Sequence, residues 1–341
     1  MQTVIITGAN SQSALAFCEY FKEKTNYHLV GLARCSRQKF PIDNHYDTVY
    51  PFCLKLFDYK GLLLKYKPSL FINCAGYSFV GDSDENPKAC FDQNSQAVLE
   101  QLESIRRYTP DCRYANFGSS EEFGNPRVRM QDEKTELKPI NAYGQSKVNA
   151  RNYVQYYRKR HNLYAVQHWT YNFESKRRKE SFVLKKIANH LVEVKSQIGN
   201  NETPGVLDVG CLLATRDFSH IDDIVIAYSL SLEQVKPKDY VLGSGNSYYI
   251  HRLVSNMGKM IGLKLKCYDD NLSKVPHKKT PLFAVKVGGK DHVILQSCKK
   301  YFRIEQNRNL QADITQAKRF LDWNPEKDIS DILKSLLTEN E

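Results

Sequence analysis

The chain has 341 residues, 41% hydrophobic and 26% charged, an ordinary balance for a globular protein able to bury one large core or two smaller ones. No uninterrupted apolar run approaches the roughly 18 residues a membrane-spanning helix needs, so no membrane partner is expected. The formal charge of +11 is spread along the whole chain, without a long basic block or a nucleic-acid module. It points to small anionic ligands such as nucleotide phosphates, and no nucleic-acid partner is expected.

The nine cysteines are scattered, with no Cys-x-x-Cys pair and no Cys/His spacing typical of zinc. Free thiols in a reducing cytoplasm are the expectation, with no metal. The run from Met1 to Gly8 enters a strand directly and lacks the basic region, long apolar run and cleavage site of a secretory signal.

Thr3 to Thr7 is a short apolar run ending in Gly8, and Ser13 to Lys24 reads as a helix. Strand, glycine turn and helix form a dinucleotide site, where the helix N-terminus offers unpaired N–H groups to a pyrophosphate. Only the first glycine of the usual spacing is present. Ala14 at the third place is a small change, whereas Ser11 at the second puts a side chain where backbone should approach phosphate. Tyr27 to Ala33 is the next strand, ending in Arg34, Cys35, Ser36 and Arg37. Without an acidic residue there, the end suits a 2′-phosphate and hence NADP rather than NAD; the alternative is a surface loop with two cations.

Further strands are predicted near Thr48 to Tyr50, at Leu70 to Cys74, at Arg113 to Gly118 and at Leu163 to Trp169, with helices at Lys88 to Arg107 and Asn141 to Arg160. This alternation predicts an α/β fold with a doubly wound parallel sheet. Between Asn73 and Gly76, small residues leave room for a cofactor. Ser119, Ser120 and Glu121 follow the Arg113 strand, and Tyr143 and Lys147, four residues apart, share one face of the next helix. Over one ligand at the carboxyl edge they would supply a hydroxyl, a carboxyl, a phenol and an ammonium. Tyr-x-x-x-Lys alone says little, since Tyr20 and Lys24 repeat it with no visible function. The preceding Ser-Ser-Glu gives it weight. For Glu121 the alternative is a capping or loop carboxylate.

After Trp169 the texture changes. Polar residues from Tyr171 to Ser175 precede the basic cluster Lys176 to Lys179, either a phosphate site or a solvated helix end. Helices are predicted at Glu180 to Val194, Asp217 to Glu233, Thr315 to Trp323 and Asp328 to Leu337, with a short strand at Tyr240 to Gly243. The expected division is a cofactor-binding domain over 1–170 and a smaller C-terminal α/β lobe over 171–341, with 212–235 packing back onto the first.

Together these segments resemble the extended short-chain dehydrogenase/reductase family, and within it the GDP-mannose 4,6-dehydratases, across nearly the whole chain. The similarity is densest at Gly118 to Gly124, Gln131 to Thr135 and Ala142 to Lys147. It continues through Asn172 to Arg178, Ala214 to Asp217 with His220, Lys300 to Arg303, and Leu321 to Pro325. Most sugar-nucleotide epimerases of this fold lack the segment from Asn172 to Arg178.

The resemblance implies a Rossmann-like fold and these roles. Tyr143, its pKa lowered by Lys147 and the cofactor's charge, would take the proton from the sugar 4-hydroxyl, and Lys147 would also hold the nicotinamide ribose. Ser119 would bond near the 4-oxygen, and Glu121 would remove the C5 proton and help expel the C6 hydroxyl. Gly8, Asn10, Ser11, Gln12, Arg34, Ser36, Arg37, Asp58 and Ala75 fall where the cofactor binds. Ser120, Asn172, Glu174, Arg177, Lys186, Arg216 and Arg303 fall where the substrate binds, with a surface ion pair as the alternative for the charged ones. The family's pattern is broken at Tyr77 to Phe79, at Arg303 to Gln306 and at Gly210 and Cys211, which leaves the sugar open.

Three readings follow. The first is an NADP-dependent GDP-sugar 4,6-dehydratase acting on GDP-mannose or a related GDP-hexose or heptose. The second is a GDP-sugar 4-dehydrogenase, 4-reductase or epimerase that stops at C4. The third, prompted by the damaged glycine loop, is a non-catalytic NADP-binding sensor or scaffold. By resemblance a homodimer is expected, or a homotetramer in which Arg34 to Arg37 approaches a neighbour's cofactor.

Overall fold

The structure, a computed structural model, describes residues 2–34, 44–52, 57–268, 282–301 and 309–338. The first half alternates strand and helix: β1 (Thr3–Thr7), α1 (Gln12–Lys24), β2 (His28–Ala33), β3 (Thr48–Pro51), α2 (Tyr59–Tyr66) and β4 (Leu70–Asn73). Then come α3 (Pro87–Phe91), a π-helical turn over Asp92–Gln96 running into α4 (Ala97–Tyr108), β5 (Arg113–Phe117), α5 (Ala142–His161) and β6 (Ala165–Thr170). The second half holds β7 (Asn172–Glu174), α6 (Val183–Gly199), β8 (Leu207–Val209), β9 (Thr215–His220), α7 (Ile221–Glu233), β10 (Val241–Leu242) and β11 (Ser247–Tyr249). It ends with α8 (Ile250–Met260), β12 (Lys266–Tyr268), β13 (Leu282–Val287), β14 (Lys290–Ser297), β15 (Asn309–Leu310), α9 (Thr315–Leu321) and α10 (Ile329–Leu337).

Seven parallel strands form the central sheet in the order β10-β6-β5-β4-β1-β2-β3. Val4, Ile5 and Ile6 are completely buried, as a strand covered by helices on both faces requires. On one face Phe17 and Phe21 of α1 pack with Ile224 and Tyr228 of α7; on the other, Leu62, Leu102, Ile105 and Val154 come from α2, α4 and α5. The chain order reverses between β1 and β4, and at such a switch point the loops leaving the carboxyl ends diverge and open a crevice.

Residues beyond 170 join the first core: α7, β10, and Leu310 to Trp323 all contribute to it. A separate core gathers α6, α8, α10 and the β13–β14 hairpin. Two helices of this core, α6 and α10, were expected, but nothing was expected at the hairpin, although Gly288 and Gly289, at φ +56° and +84°, are the two-residue Gly-Gly turn that announces one. Among the described residues no helix is long and apolar enough to cross a membrane.

Two predicted boundaries are corrected. Helix α6 starts at Val183 rather than Glu180. Asp217 lies within strand β9, not at a helix start, because its buried carboxylate accepts from Ser244 N (2.8 Å), Ser244 Oγ (2.7 Å), Gly245 N (3.0 Å) and Ala312 N (3.1 Å). Helix α7 then begins at Ile221, with His220 as its cap. Burial pushes the Asp217 carboxyl up to about 6, against those four donors. Asp217→Ala would leave three backbone donors, Ser244 N, Gly245 N and Ala312 N, without an acceptor and should cost about 3 kcal/mol, read as a lowered urea midpoint at neutral pH.

Candidate active site

Gly8 sits at φ +66°, and a Cβ added there would lie 2.8 Å from Ala75 N and the Cys74 carbonyl carbon, so only glycine lets β1 and β4 turn away this close together. Ala75 N donates to Thr7 Oγ1 (3.0 Å), which fixes the β4 turn against β1. The Ser11 hydroxyl, expected to intrude on a phosphate, instead caps α1 by accepting from Ala14 N (3.2 Å). Gln12 is buried and tied to β7 and the residue after it, donating to Phe173 O (3.3 Å) and accepting from Ser175 Oγ (2.8 Å). Asn10 lies in the turn between Gly8 and α1. The close-approach glycine followed by a helix N-terminus fits a dinucleotide. Asp58 lies away from this turn in the chain and caps α2 through Gly61 N (2.9 Å). Arg34 is exposed at the end of β2; Ser36 and Arg37 lie outside the described residues.

Strand β5 delivers the next loop to the same edge. Ser119 caps the short 3-10 turn Ser120–Phe123, and its hydroxyl accepts from Glu121 N (3.2 Å). The Ser119 hydroxyl also bonds the Tyr143 phenol. Glu121 Oε2 accepts from Asn141 Nδ2 (3.0 Å), and a Cβ on Gly144 would come within 2.5 Å of Glu121 O, so the loop lies directly on the first turn of α5. Ser119, Glu121, Tyr143 and Lys147 are thus brought together, and Ser120, next to Ser119 in the same loop, is buried.

The electrostatics differ from the expectation for Tyr143. Desolvation, aided by the Glu121 carboxylate and opposed by the Ser119 hydrogen bond, pushes the phenol above its ordinary value. Lys147 Nζ donates to Phe117 O (2.8 Å) and lies 5.7 Å from the Tyr143 ring centroid. Burial lowers the ammonium itself to about 8, with the Glu122 carboxylate opposing the shift.

Asn94 was not foreseen. The π turn aims its side chain at Tyr77 N (2.9 Å), Tyr77 O (3.1 Å) and Ser146 Oγ (3.0 Å), joining the β4 loop to α5. A Cβ on Gly76 would meet Asn94 Oδ1 at 2.6 Å and Lys147 Nζ at 3.9 Å. No short motif marks this residue, since the extra residue in the helical turn is invisible to a 3.6-residue pattern.

The basic cluster from Lys176 to Lys179 divides. Arg177 pairs with Glu19 of α1, so the surface ion pair named as its alternative is the observed contact. Its neighbour Arg178 turns inward, 3.1 Å from Glu174 and 3.4 Å from the Phe182 ring centroid, and senses the Tyr143 charge. Glu174 Oε2 and Arg178 Nε are both buried and, beyond their ion pair with each other, make no hydrogen bond, the kind of pair a polar ligand completes. Asn172 is half-buried at the start of β7. Arg216 lies in β9 and donates to Thr215 O (2.7 Å), while Lys186 of α6 donates to Asp208 O (3.2 Å) and lies 5.1 Å from the Tyr301 ring centroid. Arg303 lies outside the described residues.

Burial pushes the Glu174 carboxyl from 4.5 up to about 7, only partly opposed by Arg178. A carboxyl raised by folding contributes stability fully below pH 4.5 and loses it as pH rises through 7. As pH rises between those limits Glu174→Gln should gain about 3 kcal/mol relative to the wild type. Denaturant unfolding across that range checks the change of slope rather than the absolute stability.

The sequence matches the family described as GDP-mannose 4,6 dehydratase over residues 6–336. GDP-mannose 4,6 dehydratase 1 of Arabidopsis thaliana is 31% identical over 278 residues, spanning 80% of this chain and 68% of that protein. The Homo sapiens GDP-mannose 4,6 dehydratase is 26% identical over 353 residues, spanning 98% and 90%. Among solved structures, UDP-glucose 4-epimerase from Brucella ovis in complex with NAD has the same fold, with a TM-score of 0.79 at 18% identity over 99% of this chain and 98% of that one. The sequence match over almost its full length and the geometry of Ser119, Glu121, Tyr143 and Lys147 lead to one conclusion: this chain belongs to the GDP-mannose 4,6-dehydratase family.

Proposed function

We propose that the chain is an NADP-dependent GDP-sugar 4,6-dehydratase of the cytoplasm, acting on GDP-mannose or a related GDP-hexose or heptose. The observation that carries this reading is the Glu121 carboxylate beside the Tyr143 phenol, since oxidation at C4 needs the phenol, ammonium and hydroxyl but no carboxylate. A nicotinamide dinucleotide held by the Gly8 turn and the α1 N-terminus would supply the redox chemistry, accepting a hydride from the sugar and giving it back. Tyr143 Oη holds the proton of the 4-hydroxyl, and Ser119 Oγ orients the two oxygens. The Lys147 ammonium, at the carboxyl end of β5, keeps positive charge beside them. Once C4 is a ketone, the C5 proton is acidic enough for a carboxylate, so Glu121 takes it and delivers it to the departing C6 hydroxyl. One water is lost, and a 4-keto-6-deoxy sugar nucleotide remains.

Burial lowers the Lys179 ammonium and the charge of Arg34, at the end of β2, adds to that shift; two cations near each other there favour a 2′-phosphate. The buried Glu174–Arg178 pair supports contact with sugar or diphosphate. A homodimer formed through α5 and a neighbouring helix, or a homotetramer, completes the proposal; Tyr156, 55% exposed on α5, supports such pairing. A stable monomer in sedimentation would count against it.

The Asn141 bond to Glu121 favours a second reading, in which the carboxylate is only a strut and chemistry stops at C4. Glu121→Gln decides between them. In the first reading it lowers the formation of dehydrated product by roughly 10²–10⁴-fold, while hydride transfer from C4 persists. Mass spectrometry then finds a 4-keto sugar that keeps its C6 hydroxyl. If the wild-type product itself keeps that hydroxyl, the dehydratase reading is wrong. Tyr143→Phe should lower turnover by about 10²–10⁴-fold without weakening cofactor binding, checked by steady-state rates and equilibrium titration.

A further inference from the structure

Beneath the reacting groups runs a buried polar ladder with no part in the chemistry above. Thr7 Oγ1 donates to Asn73 Oδ1 (2.5 Å), Asn73 Nδ2 to Asn116 Oδ1 (2.8 Å), and Asn116 Nδ2 to Gln167 Oε1 (2.7 Å). These four residues are register partners on β1, β4, β5 and β6, so the ladder crosses the sheet just under its carboxyl edge. Gln167 Nε2 then donates to Lys147 O (2.9 Å) and to Glu122 Oε1 (3.4 Å).

The ladder ends in a buried ion pair. Arg151, one turn beyond Lys147 on α5, grips the Glu122 carboxylate through Nε (2.5 Å) and Nη2 (3.1 Å). Its Nη1 donates to Gln167 O (2.6 Å) and Asp239 Oδ2 (3.4 Å), and its guanidinium lies 3.6 Å from the Trp169 ring centroid. Arg151 is 1% exposed and Glu122 is 0% exposed. A Cβ on Gly118 would come within 2.7 Å of both Arg151 Nη2 and Glu122 Oε1, so the strand end leaves room for the pair. At the catalytic end Glu122 Oε1 accepts from Ser119 N (2.9 Å); at the cofactor end Thr7 Oγ1 accepts from Ala75 N.

A buried ion pair is a poor way to gain stability, because desolvating two charges offsets their attraction and an apolar pair of similar volume is often as stable. What the pair does supply is a rigid two-point contact between the loop of Ser119 and Glu121 and the helix of Tyr143 and Lys147. We propose that Glu122 and Arg151 are positioning residues, a buried fork that fixes the loop to the helix so that phenol and carboxylate act in turn on one sugar. The inference rests on the dehydratase reading above, and it reaches Glu121 through its sequence neighbour.

The test replaces the fork with an apolar pair, Glu122→Leu with Arg151→Met, beside the single variant Glu122→Gln. The double variant should melt within about 4 °C of the wild type and keep its cofactor. Its formation of dehydrated product should fall roughly 10²-fold, as expected for a misplacement near 1 Å. A kcat effect with little change in KM, slower deuterium exchange at sugar C5, and a larger share of 4-keto sugar with its C6 hydroxyl intact would support positioning. Glu122→Gln keeps an acceptor for Ser119 N but weakens the fork, and should shift the product share in the same direction. If the double variant folds and dehydrates at the wild-type rate, the proposal is overturned. If it does not fold, a wild-type product share in Glu122→Gln overturns the proposal instead. Failure of the dehydratase reading is seen separately, as a wild type that never forms dehydrated product; slower hydride transfer in the variants, read by reduced-cofactor absorbance, would then still support the fork.

Discussion

The placement of β1 between β2 and β4 is the constraint on which the remaining architecture depends. Parallel pairing puts the carboxyl ends of β1, β4, β5 and β6 on one edge, and reversal of chain order at β1 opens the crevice there. The approach of the Gly8 turn to Cys74 and Ala75 is so close that a single methyl would collide with backbone. Each loop that carries a reacting group leaves from this edge or lies against it.

Burial gives the site its electrical character. The Tyr143 phenol is held neutral by desolvation and by the Glu121 carboxylate, while Lys147 is held in a polar corner made by Phe117 O. Such a phenol takes up negative charge readily only when positive charge is close, so a cofactor with a cationic ring would be part of the site's electrostatics. Glu174 and Arg178 extend the same logic to the loop after β7. Neither is fully satisfied by the other, which suits a pair that a polar ligand would complete.

How much of this was legible depended on the range of each signal. Ser119, Glu121, Tyr143 and Lys147 could be read because each lies in a short local pattern, a loop after a strand or one turn of a helix. The choice between Arg177 and Arg178 could not be read, because adjacent loop residues point in different directions and only Glu19, 158 residues earlier in the chain, takes Arg177. Ser11 was read as an obstacle to phosphate, yet as the cap of α1 its hydroxyl is directed to Ala14 N. Asp217 looked like the start of a helix, as an acidic residue before an apolar run often is; four donors from Ser244, Gly245 and Ala312 hold it in a strand.

The sequence by itself determined the alternation of strands and helices and the glycine turn at Gly8, since these follow from periodicities of two and 3.6 residues and from local backbone chemistry. Only the tertiary structure decided what binds these pieces together. The ladder from Thr7 to Gln167 needs four strands in register, and the Glu122–Arg151 fork needs a loop and a helix 29 residues apart to meet around Gly118. Those contacts join residues distant in the chain, and no short-range pattern records them.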